Sequence, residues 1–147
     1  IANFRKDEGA SLEKEFQLRI SNINNLMNEA VSYDAERVET VKTRLRTALD
    51  ELKVNVDENR FEQELIFYLE KYDITEEKVR LGNHLNYFLE TLNGTEANGR
   101  KLGFITQEMG REINTMGSKS NHTEMQKLVV MMKDELEKIK EQVLNVL

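Results

Sequence analysis

The chain has 147 residues, enough for one domain with a buried core, and 33% of them are charged. It contains no proline, no cysteine and seven glycines, a composition that is typical of a mostly helical protein and excludes disulfides and thiolate sites. The net charge of −6 argues against a protein that coats nucleic acid non-specifically, and no apolar run approaches the roughly 18 residues that a membrane-spanning helix needs.

The first predicted element is one long helix. Apolar residues recur at helical spacing from Leu12 to Leu52, which predicts a helix of about 40 residues. Such a helix would extend about 60 Å, so part of it must project from a compact bundle or pack against another chain. The alternative is a break into two antiparallel helices near Tyr33 and Asp34. Because the helical pattern starts almost at once and the first residue is Ile1, we expect a fragment of a longer protein.

About four shorter helices follow. Asp57 is the predicted N-cap of the second helix and Thr75 that of the third, and the fourth begins at about Gly99, after the turn-forming stretch NGTEANG. The fifth helix follows GSKS, with Asn121 and Glu124 as a candidate capping box. There is no period-2 strand pattern, so the sequence predicts an all-α fold. We expect a single domain over residues 1–147, with a long helical arm over 1–56 and a helical core over 57–147 that carries the site.

The stretch GRKLGFITQEMGREINTMGSKS, residues 99–120, concentrates polar groups on the fourth helix. It holds four cations and two carboxylates. Residues three and four apart are neighbours on a helix, so two polar rows form beside the apolar stripe. One row holds Arg100, Gln107, Arg111 and Asn114, and the other holds Lys101, Glu108, Glu112 and Thr115. This density of cations, amides and hydroxyls is typical of phosphate contacts, and the alternative is a solvated helix face with internal ion pairs.

Two further groups have the composition of a reactive site. Glu108 and Glu112 are like charges one turn apart, which is unfavourable unless a divalent cation or an arginine lies between them. In EEKVRLGNHL, Glu77, Arg80 and His84 share one edge of the third helix, where the imidazole could act as a general acid or base or bind a metal. The alternative there is a half-buried, hydrogen-bonded histidine. We expect the charged residues of ENRFEQEL to form surface pairs and His122 to be exposed.

Several standard site motifs are absent. The chain has no Glu-x-x-His or His-x-x-x-His pair, no P-loop, no GxGxxG and no GxSxG. With two histidines and no cysteine, a nucleophilic triad is not expected. What remains is Mg²⁺ or Mn²⁺ bound by carboxylates and acting on phosphate esters, with cationic side chains holding the backbone.

Taken in order, these motifs resemble one family. GRKLGFITQEMGREINTMGSKS followed by VVMMKDELEKIKEQVLNVL resembles the C-terminal region of the bacterial YicC/YloC family. FRKDEGASLEKEF, ENRFEQEL and DITEEKVRLGNHLNYF match the same family in the same order, so the resemblance covers nearly the whole chain. It implies a cytoplasmic endoribonuclease that uses divalent metal and acts on structured or small RNA. It also implies a homo-oligomer, a hexamer with an enclosed, positively lined space, and a further N-terminal domain.

The resemblance also implies site residues. The residues expected to be catalytic are His84, Glu108 and Glu112. Those expected to contact RNA are Arg80, Arg100, Lys101, Gln107, Arg111, Asn114, Ser118 and Lys119. Those expected to bind Mg²⁺ or Mn²⁺ are Glu108, Glu112, Glu77 and Glu64. The family patterns also cover Arg60, Glu62 and Glu76. In this scheme His84 moves a proton, and the metal positions the scissile phosphate or activates a bound water.

The chain departs from the family pattern in three places. Gly103 and Gly110 stand where the family usually has Asp and Asn, and His122 replaces a usual Asp. A glycine inside a helix costs about 1 kcal/mol relative to alanine, so the two glycines suggest close helix packing or close approach of an RNA backbone. Two other functions fit the same residues. One is a non-catalytic RNA-binding adaptor that would tolerate loss of His84, and the other is a structural oligomerisation module built on the long first helix.

Overall fold

The protein folds into five α-helices. A computed structural model describes residues 2–51, 55, 57–94, 99–120 and 122–145, with side chains described from residue 11 onward. The helices are α1 (Ala2–Glu51), α2 (Glu58–Lys71), α3 (Thr75–Asn93), α4 (Gly99–Lys119) and α5 (Thr123–Leu144). Every regular element in the described ranges is an α-helix, which confirms the all-α prediction. None of these helices is both long enough and apolar enough to cross a bilayer.

The first helix is continuous. It runs for 50 residues and passes through Tyr33 and Asp34 without a break, so the predicted long helix is confirmed and the alternative of two antiparallel helices is wrong. At about 1.5 Å per residue, α1 is about 75 Å long. Leu52, the last residue of the predicted apolar stripe, lies outside the described residues.

Four of the helices form an antiparallel bundle in which α1 packs between α3 and α5, and α4 packs between α5 and α3. Arg19 pairs with Glu135 at 3.1 Å, whereas Tyr33, further along α1, stacks on His122 at the start of α5, so α1 and α5 run in opposite directions. The core is a single cluster of apolar side chains, among them the fully buried residues Phe16, Ile23, Phe88, Leu102, Met109, Ile113, Met132 and Ile139.

The C-terminal part of α1 leaves the bundle and forms an arm with α2. No residue between 34 and 51 is fully buried, and the start of α2 contacts this segment at Arg46. Arg46 on α1 binds both carboxylate oxygens of Glu58 at 2.8 Å each and lies 4.3 Å from the ring centre of Phe61. The hydrogen bonds from Arg46 lower the pKa of Glu58. We define the arm as residues 34–51 and 57–71.

The arm does not coincide with the predicted division at residue 56. Residues 16–30 of α1 supply Phe16 and Ala30 to the bundle core, whereas Phe61 and Leu65 of α2 are buried outside that core. The division of the chain into an arm over 1–56 and a core over 57–147 stays a prediction; among the described residues, α1 also supplies side chains to the bundle core. The continuous helix α1 belongs to both the bundle and the arm. A sequence pattern cannot show at which residue the helix stops packing on the bundle and starts to contact α2.

The helix starts follow the predicted capping residues in part. Asp57 caps α2 as predicted, and its side chain accepts from the next backbone N–H groups. Thr75 was the wrong cap for α3, because the carboxylate of Asp73 accepts from both its N–H and its hydroxyl. At α5, His122 is the cap: its Nδ1 accepts from the N–H of Glu124 at 3.2 Å. The predicted cap at residue 121 lies outside the described residues.

A row of glycines brings α4 close to α5. Three glycines seven residues apart face three apolar side chains of α5 that are also seven apart: Gly103 faces Val143, Gly110 faces Leu136 and Gly117 faces Val129. The Cβ atom of an alanine would lie 3.9, 3.4 and 3.1 Å from these side chains in turn. Of the two explanations for the helical glycines, the structure supports close helix packing.

This geometry predicts opposite effects at the two ends of the row. Gly103→Ala should raise the free energy of unfolding by up to about 1 kcal/mol, since alanine is the better helix former and its Cβ makes an ordinary contact. Gly117→Ala should gain nothing or lose about 1 kcal/mol, because Val129 is buried and stiff and the new contact is tight. Urea unfolding of the two variants measures the difference. Equal stabilisation by both would contradict the tight packing at Gly117.

Candidate nucleic-acid interface

Arg80 joins α3 to α4 through ion pairs. Its Nε donates to both carboxylate oxygens of Glu112 at 3.1 Å each, and its Nη1 donates to Glu76 at 3.2 Å. The hydrogen bonds to Glu112 are the main reason that the pKa of Arg80 is raised. Each of the two like charges therefore has an arginine beside it: Arg80 at Glu112, and Arg111 at Glu108.

A second ion pair lies one turn back along α3 and two turns further along α4. Lys119 donates from Nζ to Glu77 Oε1 at 2.7 Å and to the backbone carbonyl of Asp73 at 3.0 Å. Glu77 is only 2% exposed, and its Oε2 has no hydrogen-bond partner among the described residues. A buried carboxylate is tolerated when a cation compensates its charge, so these contacts give Lys119 a structural role. Its predicted contact with RNA stays a prediction.

The register of α3 and α4 brings His84 and Glu108 to a similar level of the helix pair. The helices are antiparallel, with Glu77 opposite Lys119 and Arg80 opposite Glu112. One turn further along α3 is His84, and one turn back along α4 is Glu108, so the two lie at the same level of the pair. Both side chains are half-buried. The helix pair thus carries the two predicted catalytic groups at one level, while the third, Glu112, is bound to Arg80.

The predicted metal ligands are not gathered around one point. No three His, Asp or Glu side chains in the described part of the chain could hold a metal ion together. Glu112 and Glu77 are engaged by Arg80 and Lys119, and Glu64 lies on the exposed side of α2 in the arm. In this arrangement the residues do not fit a metal site. Metal binding therefore stays a prediction, and no chemical step is derived from it.

The outward side of α4 is a continuous exposed stripe, which we call the α4 outer face. It contains six exposed residues at alternating spacings of four and three: Arg100, Phe104, Gln107, Arg111, Asn114 and Ser118. Five of them were predicted to contact RNA. Phe104 was not, although its side chain is 61% exposed. Its spacing from Arg100 and Gln107 was the available signal, because it puts an aromatic ring into the polar row. Alternating basic and aromatic side chains are typical of surfaces that bind nucleic acid.

Two lysines of α5 border this face. Gln126, Lys133 and Lys140 are seven residues apart, and Gln126 Nε2 donates to the carbonyl of Gly117 on α4 at 2.7 Å. Lys140 lines a cavity together with residues of the α4 outer face. The row therefore runs along the edge of α5 next to that face and adds Lys133 and Lys140 to its charge. Sequence reasoning missed both lysines, because only the packing of α5 on α4 brings them there.

The predicted RNA contacts differ in how strongly other groups of the protein engage them. Lys101 turns towards α3, where its Nζ is 4.9 Å from the ring centre of Tyr87. The hydroxyl of Ser118 donates to the carbonyl of Asn114 at 3.1 Å. Arg111 is 78% exposed, and its Nε is 3.7 Å from Glu108. Arg111 thus combines high exposure with a weak ion pair, and it is the best placed of the predicted phosphate ligands.

Comparison with known proteins gives a consistent result. Residues 28–147 match the family described as "Endoribonuclease YicC-like, C-terminal". The chain is 38% identical over 149 residues to a probable endoribonuclease YicC of Clostridioides difficile (strain 630), covering 99% of the chain and 51% of that protein. It is 32% identical over 141 residues to a probable endoribonuclease YicC of Haemophilus influenzae, covering 96% of the chain and 49% of that protein. The chain therefore spans about half the length of these curated relatives.

Proposed function

Since the chain belongs to the YicC-like endoribonuclease family through that family's C-terminal region, we propose that it is the RNA-binding and catalytic part of an endoribonuclease acting on structured or small RNA. The α4 outer face is the observation that carries this proposal. It places exposed Arg100 and Arg111 in one line, with Lys133 and Lys140 along its edge. In a chain of net charge −6, such a local line of cations favours a polyanionic ligand.

Catalysis is assigned to His84 and Glu108. They lie at the same level on neighbouring helices, next to a face that would hold the RNA backbone. One of the two groups accepts the proton of the nucleophile and the other donates a proton to the leaving oxygen, which is general acid–base catalysis. Arg80 takes a positioning role, because it holds Glu112 in place at the same helix interface.

Dependence on a divalent metal is a separate part of the proposal. We expect the full-length protein to cut an end-labelled hairpin RNA with either Mg²⁺ or Mn²⁺, and EDTA to stop the cutting. This test asks only whether cleavage needs a metal, so its result does not depend on whether the four predicted carboxylates are the ligands. Internal cuts that persist unchanged in EDTA would rule out metal dependence.

A non-catalytic RNA-binding adaptor is the second candidate. It is favoured by the ion pairs that engage Glu112 and Glu77, since carboxylates bound to Arg80 and Lys119 are less available for catalysis. The adaptor would bind RNA with the same face and would leave the RNA intact. A purely structural helical module would do neither.

Assembly and location follow from the resemblance alone. A homo-oligomer, a hexamer by resemblance, and a cytoplasmic location stay predictions. The arm supports the first of these, because Ile66 and Phe67 on α2 are 52% and 69% exposed. Adjacent large apolar side chains in water are typical of surfaces that another subunit or domain covers. The rest of the full-length protein is an equally suitable partner for them.

We expect Arg111→Ala to weaken RNA binding irrespective of sequence, because Arg111 would contact phosphates rather than bases. The log–log dependence of affinity on salt should become shallower by about 1, the loss of one released counterion. Filter binding at several salt concentrations measures both effects. Arg44→Ala is the matched control, since Arg44 is exposed on the arm. Equal affinities and slopes for the two variants would remove Arg111 from the interface.

A further inference from the structure

An open cavity lies at the N-terminal end of the α4 outer face, next to the last turns of α5. Its volume is about 490 Å³, and its walls include Arg100, Phe104 and Gln107 from α4 and Lys140 and Leu144 from α5. This volume is within the range of sites that bind small organic groups. Arg100 and Gln107 were predicted from the sequence as RNA contacts, but the other three residues, Phe104, Lys140 and Leu144, were not.

The apolar part of the cavity is exposed to solvent. Phe104 is 61% exposed and Leu144 is 69% exposed, although both are large apolar side chains. Gly103 between them adds no side chain, so the backbone of α4 is accessible in the cavity. A flat apolar group placed here would cover both side chains, and removing that surface from water is favourable.

The polar part of the cavity defines the ligand further. Arg100 and Lys140 bring positive charge from two different helices. Lys140 pairs with Glu137 at 3.4 Å, and both side chains are largely exposed, so this pair is easily exchanged for another anion. The hydroxyl of Thr106 is already used, since it donates to the carbonyl of Gly103 at 2.6 Å. Gln107 makes no side-chain hydrogen bond within the described residues, which leaves its amide able both to donate and to accept.

We propose that this cavity binds one unpaired base of an RNA strand. The base stacks on Phe104, its polar edge bonds to Gln107, and Arg100 and Lys140 hold the flanking phosphates. This proposal rests on the proposed function, because it specifies the form of RNA that the α4 outer face binds. An unpaired base combines a flat apolar face with a polar edge and adjacent negative charge, which matches the three kinds of group in the cavity. A base inside a duplex is already stacked and gains nothing from Phe104.

The test compares single-stranded RNA with a blunt duplex of the same length, bound to the full-length protein. Phe104→Ala should weaken single-strand binding about tenfold or more and leave duplex binding unchanged, because stacking of one base is lost. Phe104→Trp should retain the affinity, whereas Phe104→Leu should lose it, since leucine is apolar but offers no aromatic face. Leu18→Ala is the matched control, because Leu18 is a large apolar side chain that is 50% exposed on α1.

The outcomes separate this inference from the proposed function. If Phe104→Ala or Phe104→Leu binds single strands as tightly as the unaltered protein while Arg111→Ala binds them weakly, the base site is wrong and RNA binding by the α4 outer face stands. An equal loss for duplex and single strand would also overturn the base site, because the loss would not depend on an unpaired base. If the unaltered protein binds neither RNA, the proposed function itself fails.

Discussion

Replacing Lys119 with methionine is expected to lower the free energy of unfolding by about 3–5 kcal/mol, because the change leaves a buried carboxylate without its cation. Glu77 is 2% exposed, and Lys119 Nζ lies 2.7 Å from its Oε1. The other nearby cation, Arg80, is 3.6 Å from the same oxygen and is already shared with Glu76 and Glu112. It cannot replace Lys119 without giving up those contacts. Urea unfolding followed by circular dichroism measures the loss.

Two further variants identify the cause of this loss. Lys127→Met removes an exposed lysine that pairs with exposed Glu124 at 3.4 Å, and it should change the stability by less than about 1 kcal/mol. The double variant Glu77→Met with Lys119→Met should recover most of the loss, since a buried ion pair can be replaced by apolar side chains of similar volume. A loss for Lys119→Met no greater than that for Lys127→Met would show that Glu77 does not depend on this lysine.

His84→Ala and Glu108→Gln are each expected to slow RNA cleavage by about 10²–10⁴-fold, the usual contribution of a general acid or base. RNA affinity should stay within a few fold, because neither residue belongs to the α4 outer face. The measurement is the single-turnover rate of cutting of an end-labelled hairpin RNA by the full-length protein. Glu108→Gln keeps the shape of the side chain and removes its charge, so a large rate loss reports on chemistry rather than on packing.

The control variants lie on α3, the helix that carries His84. Asn83→Ala and Glu90→Gln alter exposed residues of α3 on either side of His84, and both should cleave at nearly the normal rate. If the His84 and Glu108 variants behave like these controls, the catalytic assignment is wrong. If the unaltered protein binds RNA with a strong salt dependence but does not cut it, the adaptor is the better description.

The fold was largely predictable because apolar spacing determines both helix type and helix length. The stripe that begins at Leu12 and continues through Phe16 and Ile20 requires a helix, and nothing near Tyr33 interrupts it. Capping was less predictable. Thr75 has a side chain that can cap a helix, but it is the first residue of α3 and Ile74 holds the N-cap position, while the preceding Asp73 accepts from the N–H of Thr75.

The candidate site was predictable on one helix and not across helices. Helical periodicity places Gln107 and Arg111 in one row, and the structure has them in one row. The position of Lys140 beside Phe104 depends on how α5 lies against α4, and the level of His84 relative to Glu108 depends on the register of α3 and α4. Both are consequences of core packing between segments distant in sequence, which local periodicity does not encode.

The route by which the arm is attached has a mechanical consequence. The first segment of the arm is part of α1, the same unbroken helix that crosses the bundle. The second segment, α2, is followed by Asp73, whose backbone carbonyl accepts a hydrogen bond from Lys119 at the end of α4. The stacking of Tyr33 on His122 holds a third point at the base of the arm. The α1 segment of the arm therefore extends about 27 Å from residue 34 to residue 51 and joins the bundle without a break in the helix. A partner bound to the arm would therefore be held in a defined orientation relative to the bundle by this continuous helix.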